Sequence, residues 1–164
     1  MNSHPSVLEH LLFFATKSTL LKGVDEKTLE QLARIGELTI PDKGVLLCRQ
    51  GTPGATFFLV TKGELEAYTE NPYHQTLGIM KAGGFFGEIS VFHTQKRTAS
   101  VITKTACELL EFRREPFGKI VEKTPLLQSR LNKRALERTE YSLSDEIIGD
   151  GSIGLAEILE PSKQ

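Results

Sequence analysis

One segment of the 164-residue chain combines residue types that could hold a small phosphate ester. Its first half reads Phe85-Phe86-Gly87-Glu88-Ile89-Ser90-Val91-Phe92, and its second half reads Lys96-Arg97-Thr98-Ala99-Ser100-Val101. Gly87 allows a ligand to approach the backbone closely. Glu88 opens a stretch long enough for one helical turn whose free N–H groups face an anion. Arg97 adds a permanent charge and a two-pronged hydrogen-bond donor.

The carboxylate and hydroxyl side chains of this segment suggest what else the ligand carries. Because Glu88 would repel a phosphate, we expect it to face a neutral donor such as a sugar hydroxyl. The Thr98 hydroxyl could reach the phosphate or a base edge, and the apolar strand that begins at Ala99 would form the floor. The alternative for Arg97 is a structural salt bridge to Glu88, which would leave Gly87 and Ala99 unexplained.

Short β-prone runs separated by Gly or Pro turns occupy residues 37–114 and would position this segment. About seven or eight strands at this spacing predict an antiparallel sandwich or barrel. A parallel sheet is disfavoured, because strands and helices do not alternate along the chain.

Helical patterns lie on both sides of the strands. Before them, Asp25 is the predicted N-cap of a helix that stops at Gly36. After them, Pro125 is suited to the first turn of a helix, whose apolar face would comprise Leu127, Leu131 and Ala135. The chain thus divides into an N-terminal helical segment (1–36), a β-roll (37–114), C-terminal helices (115–146) and a tail or linker (147–164).

The composition excludes several classes of protein. Twenty Lys and Arg against 21 Asp and Glu give a net charge of −1, which argues against bulk electrostatic binding to nucleic acid. Two Cys cannot form a disulfide framework, so a reducing, cytoplasmic setting is expected. The early apolar stretch 7–15 contains Glu9 and is far shorter than the ~20 residues that span a membrane.

The segment from Phe86 to Ala99 resembles the cassette of the cyclic nucleotide-binding domain family. That cassette reads Phe-Gly-Glu-Leu/Ile, a small residue, an apolar pair, a short loop and Arg-x-Ala. The resemblance extends over roughly residues 20–140: Leu20-Leu21-Lys22-Gly23-Val24 is similar to the entry motif, and Gly44, Gly51 and Gly63 fall at its strand turns. It implies an α+β fold, an eight-stranded antiparallel β jelly roll (double-stranded β-helix) flanked by N-terminal and C-terminal helices.

The resemblance also implies a role for each cassette residue. Arg97 would pair with the exocyclic oxygens of a cyclic phosphate, and Glu88 would accept from the ribose 2′-hydroxyl. The phosphate contacts implied are Ile89, Ser90, Arg97, Thr98 and Ala99, and the ribose contacts are Gly87 and Glu88. The candidate base contacts are Thr98, Thr139, Tyr141 and Ser142, whose alternative is an ordinary solvated helix face.

The expected nucleotide is cAMP, with cGMP as the alternative. In related domains, a Thr such as Thr98 beside the Arg is associated with guanine contact. The stretch Lys104-Thr105-Ala106-Cys107-Glu108-Leu109 nevertheless resembles the catabolite activator branch, which responds to cAMP. The family likeness implies that binding repositions the C-terminal helices.

We expect a regulatory sensor and not an enzyme, because no pattern resembles a nucleophile with its base. It would control a fused domain or a protein partner, and a homodimer through the C-terminal helices is also expected. The alternatives are a degenerate interaction module and, least favoured, a cupin-like metalloenzyme. The four His are too widely spaced to favour a metal site.

No cofactor, metal, membrane contact or direct DNA contact is expected. The basic stretch 113–138 is interpreted as a solvated helical face, since no helix-turn-helix follows it. The run Gly149-Asp150-Gly151-Ser152-Ile153-Gly154 matches G-x-G-x-x-G, but only ten residues follow it. A dinucleotide site needs more chain than that, so the run is interpreted as a linker.

Overall fold

The computed structural model describes residues 6–88 and 96–148, with side chains as far as Glu137. Within these ranges the chain forms four helices and eight strands. They are α1 (Val7–Phe14), α2 (Glu26–Ile35), β1 (Glu37–Thr39), β2 (Leu46–Cys48), β3 (Thr56–Lys62), β4 (Leu65–Thr69), β5 (Gln75–Met80), β6 (Phe85–Phe86), β7 (Ser100–Thr103), β8 (Glu108–Arg113), α3 (Arg114–Glu122) and α4 (Pro125–Ile148).

The strands form two antiparallel sheets of four strands each. One sheet has the order β1-β8-β3-β6 and the other has the order β2-β7-β4-β5. Most successive strands along the chain therefore lie in opposite sheets, which is the arrangement of a jelly roll. The predicted eight-stranded antiparallel jelly roll with flanking helices is confirmed.

Strand β3 separates two hydrophobic cores. Phe57 and Leu59 face the helices, whereas Phe58 and Val60 face the space between the sheets, because successive side chains of a strand point to opposite faces. All four are buried, so the strand reads as a continuous apolar run and not as an alternating one.

The helices cover the outer face of the first sheet. Leu29 and Leu32 of α2 and Phe117 and Val121 of α3 join one core cluster with Phe57. Helix α4 adds its apolar face to the same layer. The residues predicted for that face are all buried: Leu127, Leu131 and Ala135.

Helix α2 begins and ends at the predicted residues, but its end has a different physical basis. The Asp25 carboxylate accepts a hydrogen bond from the Thr28 backbone N–H at 2.9 Å, as expected for an N-cap. Gly36 has φ −80° and is not left-handed. A Cβ there would lie 2.7 Å from Cε1 of Phe112, so glycine is needed for close packing against β8.

Among the described residues, no helix is both long enough and apolar enough to cross a membrane.

Candidate ligand-binding site

Strand β6 fixes the position of the cassette. Phe86 pairs with Phe58 of β3, and Phe85 pairs with Leu59. The Phe86 ring stacks on Phe58 in the inter-sheet core at a centroid distance of 4.5 Å, whereas Phe85 enters the helical core. Because the two rings are buried on opposite faces of the sheet, the backbone that follows them has little freedom to shift.

Gly87 is required for two reasons. Its φ of +97° lies in the region that residues with a Cβ rarely adopt. A Cβ at this position would also lie 2.5 Å from the Thr56 carbonyl oxygen and 3.0 Å from Nη1 of Arg97. The backbone at Gly87 therefore passes directly beside β3 and beside the Arg97 guanidinium.

Glu88 follows as a buried carboxyl group. Only 1% of its surface is exposed. Charged residues are almost never buried to this extent without hydrogen-bonding partners. The sequence predicted a carboxylate facing a polar group at this position, and its burial places it inside the fold and not on the surface.

Arg97 is held through both its side chain and its backbone. Its Nη2 donates to the Thr56 carbonyl oxygen at 2.9 Å. Its backbone N–H donates to Thr52, and its carbonyl accepts from the Gly51 N–H at 2.9 Å. Since a guanidinium has five N–H donors and the side chain is half-buried, Arg97 keeps donors that could reach a ligand.

The loop between β2 and β3 holds the Arg97 segment on its other side. Gln50 accepts hydrogen bonds at Oε1 from the backbone N–H groups of Glu70 (2.6 Å) and Asn71 (3.0 Å). Its own N–H donates to Oγ of the buried Ser100 at 2.9 Å. The sequence predicts only a strand turn at Gly51, although the polar residues between Cys48 and Gly54 are a signal for further hydrogen bonds.

The positive charge of Arg97 also reaches a neighbouring thiol. Burial raises the pKa of Cys48, and the charge of Arg97 opposes that shift. The thiol hydrogen-bonds the Ala99 carbonyl at an Sγ–O distance of 3.8 Å. Cys48 therefore remains a neutral thiol at pH 7 and packs, partly buried, against the inter-sheet core.

The structure brings some of the predicted site residues together and does not test others. Gly87 and Arg97 meet at Thr56, while Thr98 is exposed and Ala99 is half-buried beside them. Ile89 and Ser90 lie outside the described residues. Thr139, Tyr141 and Ser142 belong to the backbone of α4, and their side chains are likewise outside the description.

Two basic residues of α4 make specific contacts that the sequence did not indicate. The Arg134 guanidinium lies 5.9 Å from the centroid of the Phe85 ring, within the range of a cation–π contact. Arg130 donates from Nη1 to the Leu20 carbonyl at 2.7 Å. The prediction of a solvated basic face is therefore wrong for these two side chains.

The arrangement suits a ligand with an anionic group and a hydroxyl group near one another. Arg97 offers charge-assisted hydrogen bonds to an anion, Gly87 allows close approach, and Glu88 can accept from a hydroxyl. Among the described residues, no group of three or more His, Cys, Asp or Glu could hold a metal ion.

Comparison with protein families points to the same segment. A family model described as "Cyclic nucleotide-binding domain" matches residues 42–124, which is half of the chain. The matched range contains strands β2 to β8, the whole of α3 and the whole Gly87–Arg97 cassette.

Individual relatives and structures agree with that match. The chain is 27% identical over 149 residues to cGMP-dependent protein kinase isozyme 1 of Drosophila melanogaster, covering 85% of this chain and 19% of the kinase. It is 32% identical over 100 residues to a cyclic nucleotide-gated potassium channel of Mesorhizobium japonicum, covering 61% of this chain and 26% of the channel. The chain thus spans less than a third of either relative.

Among solved structures, the regulatory domain of Toxoplasma gondii PKA with cAMP superposes with a TM-score of 0.67 at 22% identity. The superposition covers 92% of this chain and 56% of that one. A likeness at this level of identity shows a shared fold.

Proposed function

The chain belongs to the cyclic nucleotide-binding domain family, and from that premise we propose that it is a non-catalytic sensor of cAMP. The observation that carries the proposal is the meeting of Gly87 and Arg97 at the Thr56 carbonyl. The Arg97 guanidinium is a fixed positive charge, and it lies beside the Gly87 backbone. Only glycine at position 87 allows that backbone to come so close to Thr56 and Arg97. A small anionic ligand needs both features.

The proposed phosphate site is centred on Arg97. A charge-assisted hydrogen bond contributes roughly 1.5–3 kcal/mol, about twice a neutral one, so Arg97 would be the strongest single contact. Backbone groups of Ile89, Ser90 and Ala99 would complete the site, with the Thr98 hydroxyl as a further donor. One placed charge is sufficient because a cyclic phosphate carries a single negative charge.

The proposed ribose site is formed by Glu88 and Gly87. The Glu88 carboxylate is shielded from water, so a hydrogen bond that it accepts from a 2′-hydroxyl is not exchanged readily for one from solvent. This contact distinguishes a nucleotide from inorganic phosphate. AMP should bind poorly, since its phosphate carries a second charge and is not tied back to the ribose.

The proposed base contacts are Thr98 and, on α4, Thr139, Tyr141 and Ser142. The catabolite-activator-like stretch at Lys104–Leu109 favours cAMP. The second candidate is cGMP, which is favoured by the Thr that follows Arg97 and by the similarity to a cGMP-dependent kinase.

Helix α4 would report binding to the rest of the protein. Arg134 of α4 contacts the ring of Phe85, two residues before Gly87, so the helix touches the strand that carries the cassette. Nucleotide would favour this placement of α4 over another, by as much as its affinity for the two placements differs. A tenfold difference corresponds to about 1.4 kcal/mol.

The regulated target would be a fused domain or a partner protein. The matched segments make up only 19% of the kinase and 26% of the channel, which supports a module attached to an effector. We further propose that the chain acts in the cytoplasm and that its C-terminal helices can form a homodimer. The proposed units of the chain are the four regions 1–36, 37–114, 115–146 and 147–164.

A thermal-shift measurement with cAMP, cGMP and AMP tests the proposal. A ligand at 100 times its dissociation constant adds about 2.7 kcal/mol of stability. We expect the largest rise in Tm with cAMP, a smaller one with cGMP at equal concentration, and none with AMP. A larger rise with cGMP would make the chain a cGMP sensor. No rise with either cyclic nucleotide would make it an interaction module.

A further inference from the structure

A groove away from the cassette combines positive charge with an apolar floor. It has a volume of about 300 Å³ and runs between the end of α2 and the end of α3. It is lined by Gln31, Arg34 and Ile35 from α2 and by Lys119, Ile120 and Lys123 from α3 and its cap. Among the residues that the structure describes, no Asp or Glu lines it.

Helix geometry explains why these six residues lie side by side. Leu32 of α2 and Phe117 and Val121 of α3 are buried in the helical core and form the seam between the two helices. The lining residues are spaced three or four positions apart on each helix, or follow one another directly, so they share the face next to that seam. Ile35 and Ile120 are half-buried and form its floor.

The three cations of the groove have no partners among the described residues. Arg34, Lys119 and Lys123 are exposed, and none makes an ion pair or a side-chain hydrogen bond within that part of the chain. Exposed cations elsewhere do pair: Arg49 contacts Glu70 at 3.1 Å, and Lys104 contacts Glu66 at 3.4 Å. The groove thus concentrates unneutralised charge in a protein whose net charge is −1.

We propose that this groove binds an acidic peptide segment of a partner protein, with carboxylates on the three cations and an apolar side chain on Ile35 and Ile120. Electrostatic complementarity selects the acidic partner and speeds its association. The apolar floor favours a peptide over a nucleic acid, because a phosphate backbone has no apolar side chain to place there. The site is separate from the cassette, so it could contact a regulated domain while nucleotide is bound.

A simpler reading is that the cations only stabilise the helices. Arg34 and Lys119 lie in the last turns of α2 and α3, where a positive charge offsets the partial negative charge of the helix end. That reading predicts a lower Tm when these charges are removed and no binding of a peptide. The two explanations therefore differ in a direct measurement.

The test uses the full chain and a short fluorescein-labelled peptide of Glu and Leu, with Leu at every third or fourth position. Fluorescence anisotropy measures the affinity of the chain for this peptide. The groove variant is Lys119→Glu with Lys123→Glu. The matched control is Lys43→Glu with Lys81→Glu, which makes the same charge change at exposed positions outside the groove. We expect the groove variant to bind about tenfold more weakly and the control to bind like the unmodified chain.

Probe variants separate the contributions of charge and apolar contact. A peptide with Ser in place of Leu should bind several-fold more weakly, and a peptide with Gln in place of Glu should not bind. Equal binding of polyglutamate or of a short single-stranded DNA would overturn the proposal in favour of a non-specific anion site. Equal loss in both lysine variants would overturn it as well.

Two other occupants give different results. The tail beyond Ile148 contains Asp150, Glu157 and Glu160. If Glu157→Gln with Glu160→Gln tightens peptide binding, the tail itself fills the groove and the partner assignment is wrong. If the chain dimerises and Lys119→Glu with Lys123→Glu abolishes the dimer, the occupant is a second copy. The cAMP thermal shift should be unchanged in every groove variant, so failure of this proposal is distinguishable from failure of the nucleotide site.

Discussion

The cassette and the helical layer use charged residues in opposite ways. In the cassette, the Arg97 guanidinium is tied to the Thr56 carbonyl and the Glu88 carboxyl group is almost completely buried. In the helical layer, Arg34, Lys119 and Lys123 are exposed and make no ion pair among the described residues. The first arrangement suits one small ligand in one orientation, whereas the second suits an extended partner.

The difference originates in what holds each charge. A backbone carbonyl that is distant in sequence positions the Arg97 charge, so a small change there alters the geometry of the site. The charges of the helical layer project from regular helices whose packing depends on the buried opposite face. Substitutions should therefore be severe at the cassette and mild at the helix surface.

The largest expected effect is that of Gly87→Ala. The added Cβ meets an unfavourable φ, which costs about 1–2 kcal/mol, and overlaps the Thr56 carbonyl, which costs about 1–3 kcal/mol more. We expect the free energy of unfolding to fall by about 2–5 kcal/mol and cAMP binding to be lost, as measured by urea denaturation and calorimetry.

The matched control for this substitution is Gly83→Ala. Gly83 has nearly the same φ, +94°, but a Cβ there would have no atom within 4 Å. It should lose only about 1–2 kcal/mol and retain binding. An equal loss of stability at the two glycines would mean that the close approach at Gly87 is unimportant. The cassette would then be no more sensitive to substitution at Gly87 than other parts of the molecule.

Arg97→Ala should have the next largest effect, and it acts on affinity more than on stability. The lost hydrogen bond to Thr56 has a charged donor, but water can partly replace it because Arg97 is only half-buried, so we expect stability to fall by about 1.5 kcal/mol, the lower end for such bonds. The lost phosphate contact has no replacement and should lower cAMP affinity at least tenfold. Calorimetry measures the affinity, and circular dichroism confirms the fold. The control is Arg49→Ala, which removes an exposed arginine from the adjoining loop. An unchanged cAMP affinity in Arg97→Ala would show that Arg97 is not part of the site.

Much of the fold could be predicted from the sequence because its signals are local. Asp25 precedes an apolar helical stripe, Pro125 opens a helix, and Gly and Pro separate the strands, so each element depends on neighbouring residues. The jelly roll and the pairing of Gly87 with Arg97 came from the family resemblance, which carries three-dimensional information that spacing alone lacks.

The rest depends on contacts between distant segments. Thr56 lies 41 positions from the arginine that it binds, and its contribution is a backbone carbonyl that no residue type identifies. Gly36 has an ordinary φ, and only the Phe112 ring explains why glycine is needed there. The contact of Arg134 with Phe85 likewise depends on how α4 lies across the sheet, which no local pattern determines.

A smaller effect is expected for Arg134→Met, which tests whether the two regions communicate. This change keeps an apolar stem and removes the charge over Phe85, a contact worth about 0.5–1 kcal/mol. If the placement of α4 is coupled to nucleotide binding, cAMP affinity should fall about two- to fivefold. Hydrogen exchange of α4 should also become faster in the bound state.

The control for this coupling is Arg130→Met on the same helix. Arg130 donates to the Leu20 carbonyl, which lies before the first strand, so its loss should lower Tm without changing affinity. If both variants weaken binding equally, α4 acts only as a structural support, and the contact with Phe85 has no special role.

The smallest effect is expected at Asp25, where a charge acts only within its own helix. Hydrogen bonds from the side chain and backbone of Thr28 lower the pKa of Asp25 below its ordinary 3.8. The charged cap therefore stabilises the fold fully above pH 3.8, and this contribution is lost as the pH falls through the lower folded pKa. Asp25→Asn keeps a capping side chain but removes the charge, so its Tm should lie below that of the unmodified chain at pH 7 and converge with it in acid. A Tm difference that stays constant between neutral and acidic pH would show that the carboxylate charge does not contribute. Nucleotide affinity at pH 7 should be equal in Asp25→Asn and the unmodified chain, in contrast to every cassette variant.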